Sequence, residues 1–152
     1  MSKKKPSSTG EANPSWQSLE SFVVLIGKWA WVIVLINGLI YAFWGLWGLF
    51  VESILWTYGF FFGFYYVWYL IGGIVAIIFA LLIIKRRFSD KCAAKDWDYL
   101  FNDVLILGGY RIPWMLIWGI IVEILLWYGG LAILIPAFLL IFMGPKPYKW
   151  KA

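Results

Sequence analysis

Two glutamates occupy equivalent positions in two similar stretches of this sequence. Glu52 lies within WGLFVESILW and Glu123 lies within WGIIVEILLW, and a Tyr-Gly pair follows each stretch, with one residue deleted before the second pair. Apolar segments resemble one another by chance, but a shared WGxxVExxLW pattern with a following Tyr-Gly indicates an internal duplication. The pattern therefore predicts that the two carboxylates hold the same place in two related helices.

Paired carboxylates can share a proton or bind a cation where they meet, because two like charges close together disfavour the doubly ionised state. Neither Glu52 nor Glu123 has a basic neighbour within its apolar stretch, and burying an uncompensated carboxylate is costly. The alternative is two separate carboxylates that reach water at a membrane boundary. Both interpretations stay open from the sequence, and the two glutamates form the candidate site.

The residues needed for several familiar chemistries are missing. The chain has no His and a single Cys, Cys92, so zinc held by thiolate and imidazole, haem held by His, and Ser-His-Asp catalysis all lack their parts. These absences predict a protein that is not an enzyme and that holds no cofactor and no metal. Cys92 follows Lys91 in a charged stretch, which predicts a surface thiol facing a reducing cytosol.

The composition indicates that membrane helices carry the two glutamates. Of the 152 residues, 63% are hydrophobic and 14% are charged, against roughly one half and one quarter in soluble proteins. Apolar runs near 22–51, 60–84, 104–127 and 130–144 approach or exceed the length that crosses a bilayer. The predicted fold is all-α, an integral membrane four-helix bundle built from two helical hairpins in parallel repeat.

The chain ends and the later spans are less regular. Residues 1–20 are expected to form a disordered or interfacial tail, 21–144 the membrane domain, and 145–152 a basic cytoplasmic tail. The third span begins near Val104 or near Ile112. The last run is short and contains Pro136, so it crosses fully, thins the bilayer, or enters and returns as a re-entrant arm.

Basic residues predict the orientation. Placing the N-terminal tail, the loop at 85–111 and the C-terminus on one side, with Lys28 and Arg111 counted as boundary residues of that side, puts all 13 Lys and Arg residues there. That side is expected to be the cytoplasm. The predicted location is the cell membrane, multi-pass, with the N- and C-termini both cytoplasmic. The same charges attract anionic membrane lipids, and nothing in the sequence indicates a nucleic-acid partner.

Small residues and one amide predict where the helices touch. A glycine lies one turn before each candidate glutamate on the same helix face, so a neighbouring helix can approach beneath each carboxylate. A GxxxG pattern and a deep asparagine indicate two further helix contacts. The candidate packing residues are Gly48, Gly59, Gly63, Gly119 and Asn37.

Two functions fit these features. The first is a non-enzymatic small membrane protein that acts as an accessory or assembly subunit of a larger membrane complex, in contact with other membrane subunits or with copies of itself. The alternative is an oligomeric cation- or proton-linked transporter or channel that uses Glu52 and Glu123. Because four short helices enclose little water, this alternative requires several copies of the chain.

Overall fold

The described part of the chain is mostly helical. The computed structural model describes residues 14–55 and 63–151, and 79% of these residues are helical. This confirms the predicted all-α class, to which the structure adds one short β-hairpin. In chain order the elements are α1 (Pro14–Leu55), α2 (Gly63–Phe79), a π-helical segment (Ala80–Ser89), α3 (Asp90–Ala93), α4 (Trp97–Asn102), β1 (Val104–Leu107), β2 (Tyr110–Pro113), α5 (Trp114–Leu125) and α6 (Leu131–Met143).

Two helical rods are long and apolar enough to cross a membrane. One covers Ser15–Ile54, with a mean hydropathy of 2.1 in its most apolar window, and the other covers Gly63–Ala93, with 2.8. The first begins at Pro14, a residue that suits a first helical turn because its missing N–H needs no partner there. Residues 14–20 are part of this helix, and residues 1–13 of the predicted tail lie outside the described part of the chain.

The backbones of α1 and α2 touch along an antiparallel pair. A Cβ added at Gly45 would overlap the backbone nitrogen of Leu70, and one added at Gly73 would overlap the backbone nitrogen of Ala42. Glycines at these places let the two helix axes approach more closely than any side chain would permit. This contact fixes which residues of the two rods lie side by side.

The second rod changes from α-helical to π-helical winding at Ala80 and returns to α-helix at Asp90. The buried Ser89 hydroxyl accepts a hydrogen bond from the backbone N–H of Trp31 at 3.2 Å. The ammonium of Lys85 lies 4.7 Å from the centre of the Trp31 ring, within the range of a cation–π contact. The π segment thus directs both side chains toward α1.

A β-hairpin separates the second rod from α5. Val104 pairs with Pro113 and Leu107 pairs with Tyr110. Gly108 and Gly109 join the strands with φ angles of +58° and +81°, a conformation that favours glycine in two-residue hairpin turns. The helix that follows starts at Trp114, so the earlier of the two predicted starts, near Val104, falls in a strand instead of a helix.

Helices α5 and α6 form a short antiparallel hairpin of 12 and 13 residues. Their turn lies against the middle of the long pair, since a Cβ at Gly72 would be 2.8 Å from the Leu125 carbonyl oxygen. On the α1 side, a Cβ at Gly129 would be 2.9 Å from the side-chain nitrogen of Asn37. The short hairpin therefore reaches only part of the way along α1.

Three distant parts of the chain meet at one end of the molecule, called the basal end here and made of residues 14–27, 88–113 and 144–151. The Trp16 and Trp97 rings pack edge to face with centres 5.4 Å apart, and Glu20 pairs with Lys95 at 3.3 Å. The C-terminal segment joins through a hydrogen bond from the Arg111 backbone N–H to the Trp150 carbonyl at 2.8 Å. The basal end is thus held by side chains and backbone together.

The prediction of a surface thiol at Cys92 is wrong. Cys92 is 1% exposed, and its Sγ lies 2.6 Å from the place where a Cβ on Gly27 would stand. Because α3 continues the second rod past the charged residues 85–87, it packs against α1 and encloses the thiol. Charged neighbours in sequence did not reveal this, since they point to other sides of the helix.

The close α1–α2 contact predicts a graded response to alanine. Gly45→Ala and Gly73→Ala should each lower the free energy of unfolding by about 1–3 kcal/mol, because the new methyl group meets backbone atoms. Gly38→Ala should have a smaller effect, since its Cβ would lie 3.0 Å from the Gly73 carbonyl oxygen. Thermal unfolding of the purified variants measures the series, and three equal stabilities would contradict this packing.

The burial of Cys92 predicts that its thiol is protected in the folded protein. A maleimide reagent should add mass to the chain only after denaturation, because the reagent cannot reach a side chain that is 1% exposed. Mass spectrometry of native and denatured samples tests this. A Ser53→Cys variant, placed at an exposed position, is the control that should label in the folded state. Equal rates at both positions would show that α3 does not cover Cys92.

Candidate functional site

The structure does not bring Glu52 and Glu123 together. Glu123 lies at the α5–α6 turn, which contacts Asn37 on α1. Glu52 is fifteen residues further along α1, a distance of about 22 Å at 1.5 Å per residue. The two carboxylates therefore lie at different levels, because Glu52 lies near the end of the long helix α1 and Glu123 near the end of the short helix α5.

Glu123 closes the α5–α6 turn. One carboxylate oxygen accepts a hydrogen bond from the Tyr128 backbone N–H at 3.1 Å, and the other accepts one from the Gly130 N–H at 3.0 Å. Gly130 immediately precedes α6, where backbone N–H groups lack partners within the helix and the helix dipole favours negative charge. The Glu123 carboxylate thus caps α6 from the neighbouring helix.

Glu52 is half-buried near the end of α1. Both glutamates lie close to the C-terminal end of their helix, as the aligned sequence pattern predicts. The chain after Glu52 passes into residues 56–62, which the structure does not describe, so the turn equivalent to 126–130 lies outside the described residues. The Glu123 carboxylate has a defined role as a hydrogen-bond acceptor at the α5–α6 turn.

The candidate packing residues lie mostly at helix contacts. A Cβ at Gly48 would overlap the Tyr66 ring on α2, and one at Gly119 would be 2.6 Å from Leu134 on α6. Each glycine of the duplicated pattern therefore faces the return helix of its own hairpin. Gly63 is buried as the first residue of α2, Asn37 contacts the α5–α6 turn, and Gly59 lies outside the described residues.

An aromatic recess lies beside the α5–α6 turn, where α2 continues beyond the short hairpin. Its volume is about 350 Å³. The N-terminal half of α2 supplies four of the rings, and Trp127 of the turn supplies the remaining one. The lining residues are Phe64, Tyr65, Trp68, Tyr69 and Trp127.

A second, polar cavity at the basal end was missed by sequence reasoning. It has a volume of about 260 Å³ and is called the basal cavity. It lies between α4, strand β2 and the C-terminal segment, so residues far apart in sequence line it. The Gly108-Gly109 pair was the available signal, since it marks a turn that brings Arg111 back toward α4. The lining residues are Asp98, Phe101, Asn102, Arg111, Lys146, Pro147, Tyr148 and Lys149.

Arg111 is held in place at the basal cavity. Its Nη2 donates to the Phe101 carbonyl at 3.4 Å and to the Asn102 side-chain oxygen at 3.1 Å. The Tyr148 hydroxyl donates to the Arg111 carbonyl at 3.0 Å. Burial raises the pKa of Tyr148, and the Arg111 charge opposes that rise without cancelling it. The hydroxyl is therefore a protonated donor at neutral pH.

Comparisons of the chain with protein-family models, with curated proteins and with solved structures find no match. The chemistry of the described residues is what remains to indicate a function. It consists of a capped polar turn, an aromatic recess beside that turn, and a basic cavity at the basal end.

The capping role of Glu123 predicts a loss of stability when the carboxylate is removed. Glu123→Ala should lower the free energy of unfolding by about 1–3 kcal/mol, since two N–H groups lose their acceptor. The free energy of unfolding of Glu123→Gln should lie between those of the parent protein and Glu123→Ala. The amide retains one acceptor oxygen, but its NH₂ group faces a backbone donor. Thermal unfolding at neutral pH measures the order.

A matched control for this series is Asp98→Ala. Asp98 pairs with Lys146 at 2.9 Å, and the two side chains are 72% and 65% exposed; surface ion pairs contribute about 0–1 kcal/mol. If Glu123→Ala is as stable as the parent protein or as Asp98→Ala, the carboxylate does not cap α6 in solution.

Proposed function

We propose that this chain is an integral membrane protein and a non-enzymatic accessory subunit of a membrane complex. The two long rods support insertion, because only 28% of the residues in each apolar window are buried inside the molecule. Most of their apolar side chains thus lie on the surface, as lipid-facing helices require. A soluble core helix would bury most of such a window.

In this proposal α1 and α2 cross the bilayer, and the α5–α6 hairpin enters and returns. Helices of 12 and 13 residues extend about 18–20 Å, less than the hydrocarbon thickness of about 30 Å. The turn lies beside Asn37, nine residues or about 14 Å along α1 from Lys28. With Lys28 at the headgroups, the turn sits near the middle of the membrane.

The orientation follows from the basal end. The start of α1, residues 85–113 and the C-terminal segment meet there through contacts such as Trp16 with Trp97 and Lys146 with Asp98. These segments also carry Lys85, Arg86 and Arg87. Basic residues favour the cytoplasmic side, so we place the basal end, and with it both described ends of the chain, in the cytoplasm of a cell-membrane protein.

The α5–α6 turn is the single observation that carries the proposed function. Tyr128 is 73% exposed and Trp127 is 65% exposed at this turn. At mid-membrane depth, lipid offers no hydrogen-bond partner to the polar groups of these two side chains, the Tyr128 hydroxyl and the Trp127 indole N–H. A covering protein chain can supply partners and bury both rings, and this favours an assembly subunit that packs against another membrane protein or a second copy.

The aromatic recess supports contact with another helix. It opens beside the turn, where the short hairpin ends and α2 continues with exposed Phe64 and Tyr65. A partner helix in this recess would bury the rings and cover the turn together. Tyr and Trp suit such contacts, since each offers a large apolar surface with one polar group.

The alternative function is a water-filled path for a cation or proton. Water instead of protein would then cover the turn, and Glu123 would lie beside that water. The different levels of Glu52 and Glu123 within one chain support the assembly function over a transport site formed by these two carboxylates. The assembly function is therefore the leading proposal, and the accessibility of the turn distinguishes the two.

Photocrosslinking in native membranes tests the covered turn. Benzoylphenylalanine at position 128 should give a protein adduct of one defined mass, because a partner chain lies against the exposed Tyr128 side. The same residue at position 36 is the control, since Ile36 is 53% exposed on α1 at a similar depth and is expected to face lipid. It should give lipid adducts only.

Cysteine accessibility supplies the second measurement. Tyr128→Cys in a Cys92→Ala background should resist a membrane-impermeant thiol reagent if a partner covers the turn. Rapid labelling without a protein crosslink would overturn the assembly proposal and favour the water-filled alternative. Lipid adducts at both positions, without labelling, would contradict both functions.

A further inference from the structure

We propose that the basal cavity binds a phosphate-bearing anion and that, in the membrane, this anion is the headgroup of an acidic phospholipid. The assignment of the anion to a lipid headgroup rests on the proposed membrane insertion, whereas the presence of an anion site rests on the geometry of the cavity alone. The cavity volume of about 260 Å³ far exceeds the roughly 15 Å³ that one water molecule needs. A phosphate group therefore fits among the lining side chains.

The charges of the basal cavity favour an anion. Three cationic side chains line it, from Arg111, Lys146 and Lys149, against one carboxylate, from Asp98. Lys146 contacts Asp98 at 2.9 Å, but these side chains are 65% and 72% exposed, so the pair is weak. Lys146 can exchange this carboxylate for a bound phosphate without losing a strong interaction.

Arg111 provides the fixed part of the site. Its Nη2 is held by the Phe101 carbonyl and the Asn102 side chain, which fixes the guanidinium beside the cavity that it lines. The planar guanidinium fork matches phosphate oxygens better than an ammonium does. A phosphate in the cavity therefore meets a donor group that is already positioned.

Apolar surface beside the cavity favours a lipid over free phosphate. Phe142 at the end of α6 is 67% exposed and lies 6.5 Å, centre to centre, from the Trp150 ring of the C-terminal segment. On strand β1, Ile106 and Leu107 are 62% and 63% exposed. A phospholipid can place its headgroup among the cations of the cavity and its acyl chains against this apolar surface.

The test uses native mass spectrometry of the full chain in mild detergent. The lipid probes are phosphatidylglycerol and phosphatidylcholine with identical acyl chains, and inorganic phosphate is the soluble probe. The parent protein should retain one phosphatidylglycerol at least about tenfold more tightly than phosphatidylcholine, because only the former is a net anion. Inorganic phosphate should bind more weakly than phosphatidylglycerol, since it gains no apolar contact.

Two double variants distinguish a site from general attraction. Lys146→Gln with Lys149→Gln removes two charges from the cavity and should abolish the preference for phosphatidylglycerol. Lys91→Gln with Lys95→Gln removes two charges from the same end outside the cavity, and should keep the preference within about twofold. Arg111→Lys should also weaken binding, because lysine retains the charge without the planar fork. Circular dichroism establishes that each variant is folded, and Lys149→Gln alone serves if a double variant is not.

Equal losses in the two double variants would overturn the site, since binding would then follow total charge. Phosphate bound as tightly as phosphatidylglycerol would overturn the headgroup assignment. Alkaline carbonate extraction of the same membranes tests insertion separately. Release of the chain by carbonate would refute the proposed membrane function, whereas a retained chain without lipid preference would refute only this inference.

Discussion

The contact between the α1 and α2 backbones positions the rest of the structure. Gly45 and Gly73 remove the side chains that would hold the two rods apart, and the register that results brings Ser89 and Cys92 against the first half of α1. The same rods present Gly72 and Asn37 to the second hairpin. If the rods were further apart, the α5–α6 turn could not contact Gly72 and Asn37 together. The glycines therefore position the turn and the basal end by setting the distance between α1 and α2.

The turn between α5 and α6 is polar, although it lies against two apolar rods. Glu123 satisfies two of its backbone N–H groups, and the Asn37 amide contacts it from α1. These interactions cover the inner side of the turn, whereas Tyr128 adopts a positive φ of 65° and stays exposed on the outer side. At the membrane depth proposed above, the exposed side needs a covering chain, whereas the inner side does not. This asymmetry links the fold to the proposed assembly function.

Local patterns in the sequence predicted local features well. The apolar runs predicted helices, and the four-residue spacing from glycine to glutamate predicted a glycine face that, in the structure, meets the return helix. Features that depend on distant contacts were not predictable in this way. Residues 104–107 are apolar enough to extend a span, but pairing with 110–113 makes them a strand. The basal cavity joins Asp98 to Lys146 across α5 and α6, and no local pattern encodes that contact.

The duplicated pattern illustrates how the same residues acquire different roles. In α1 the pattern ends a helix of 42 residues, and in α5 it ends a helix of 12. A helix advances about 1.5 Å per residue, so the length that precedes each glutamate determines its level. Glu123 stops at the level of Asn37, where the N-terminus of α6 needs an acceptor, whereas Glu52 continues to the far end of the long rod. The two similar segments therefore share their local packing, in which a glycine faces the return helix, but they lie at different levels along the long rods. The level of the residue, rather than its type, makes Glu123 a cap for α6.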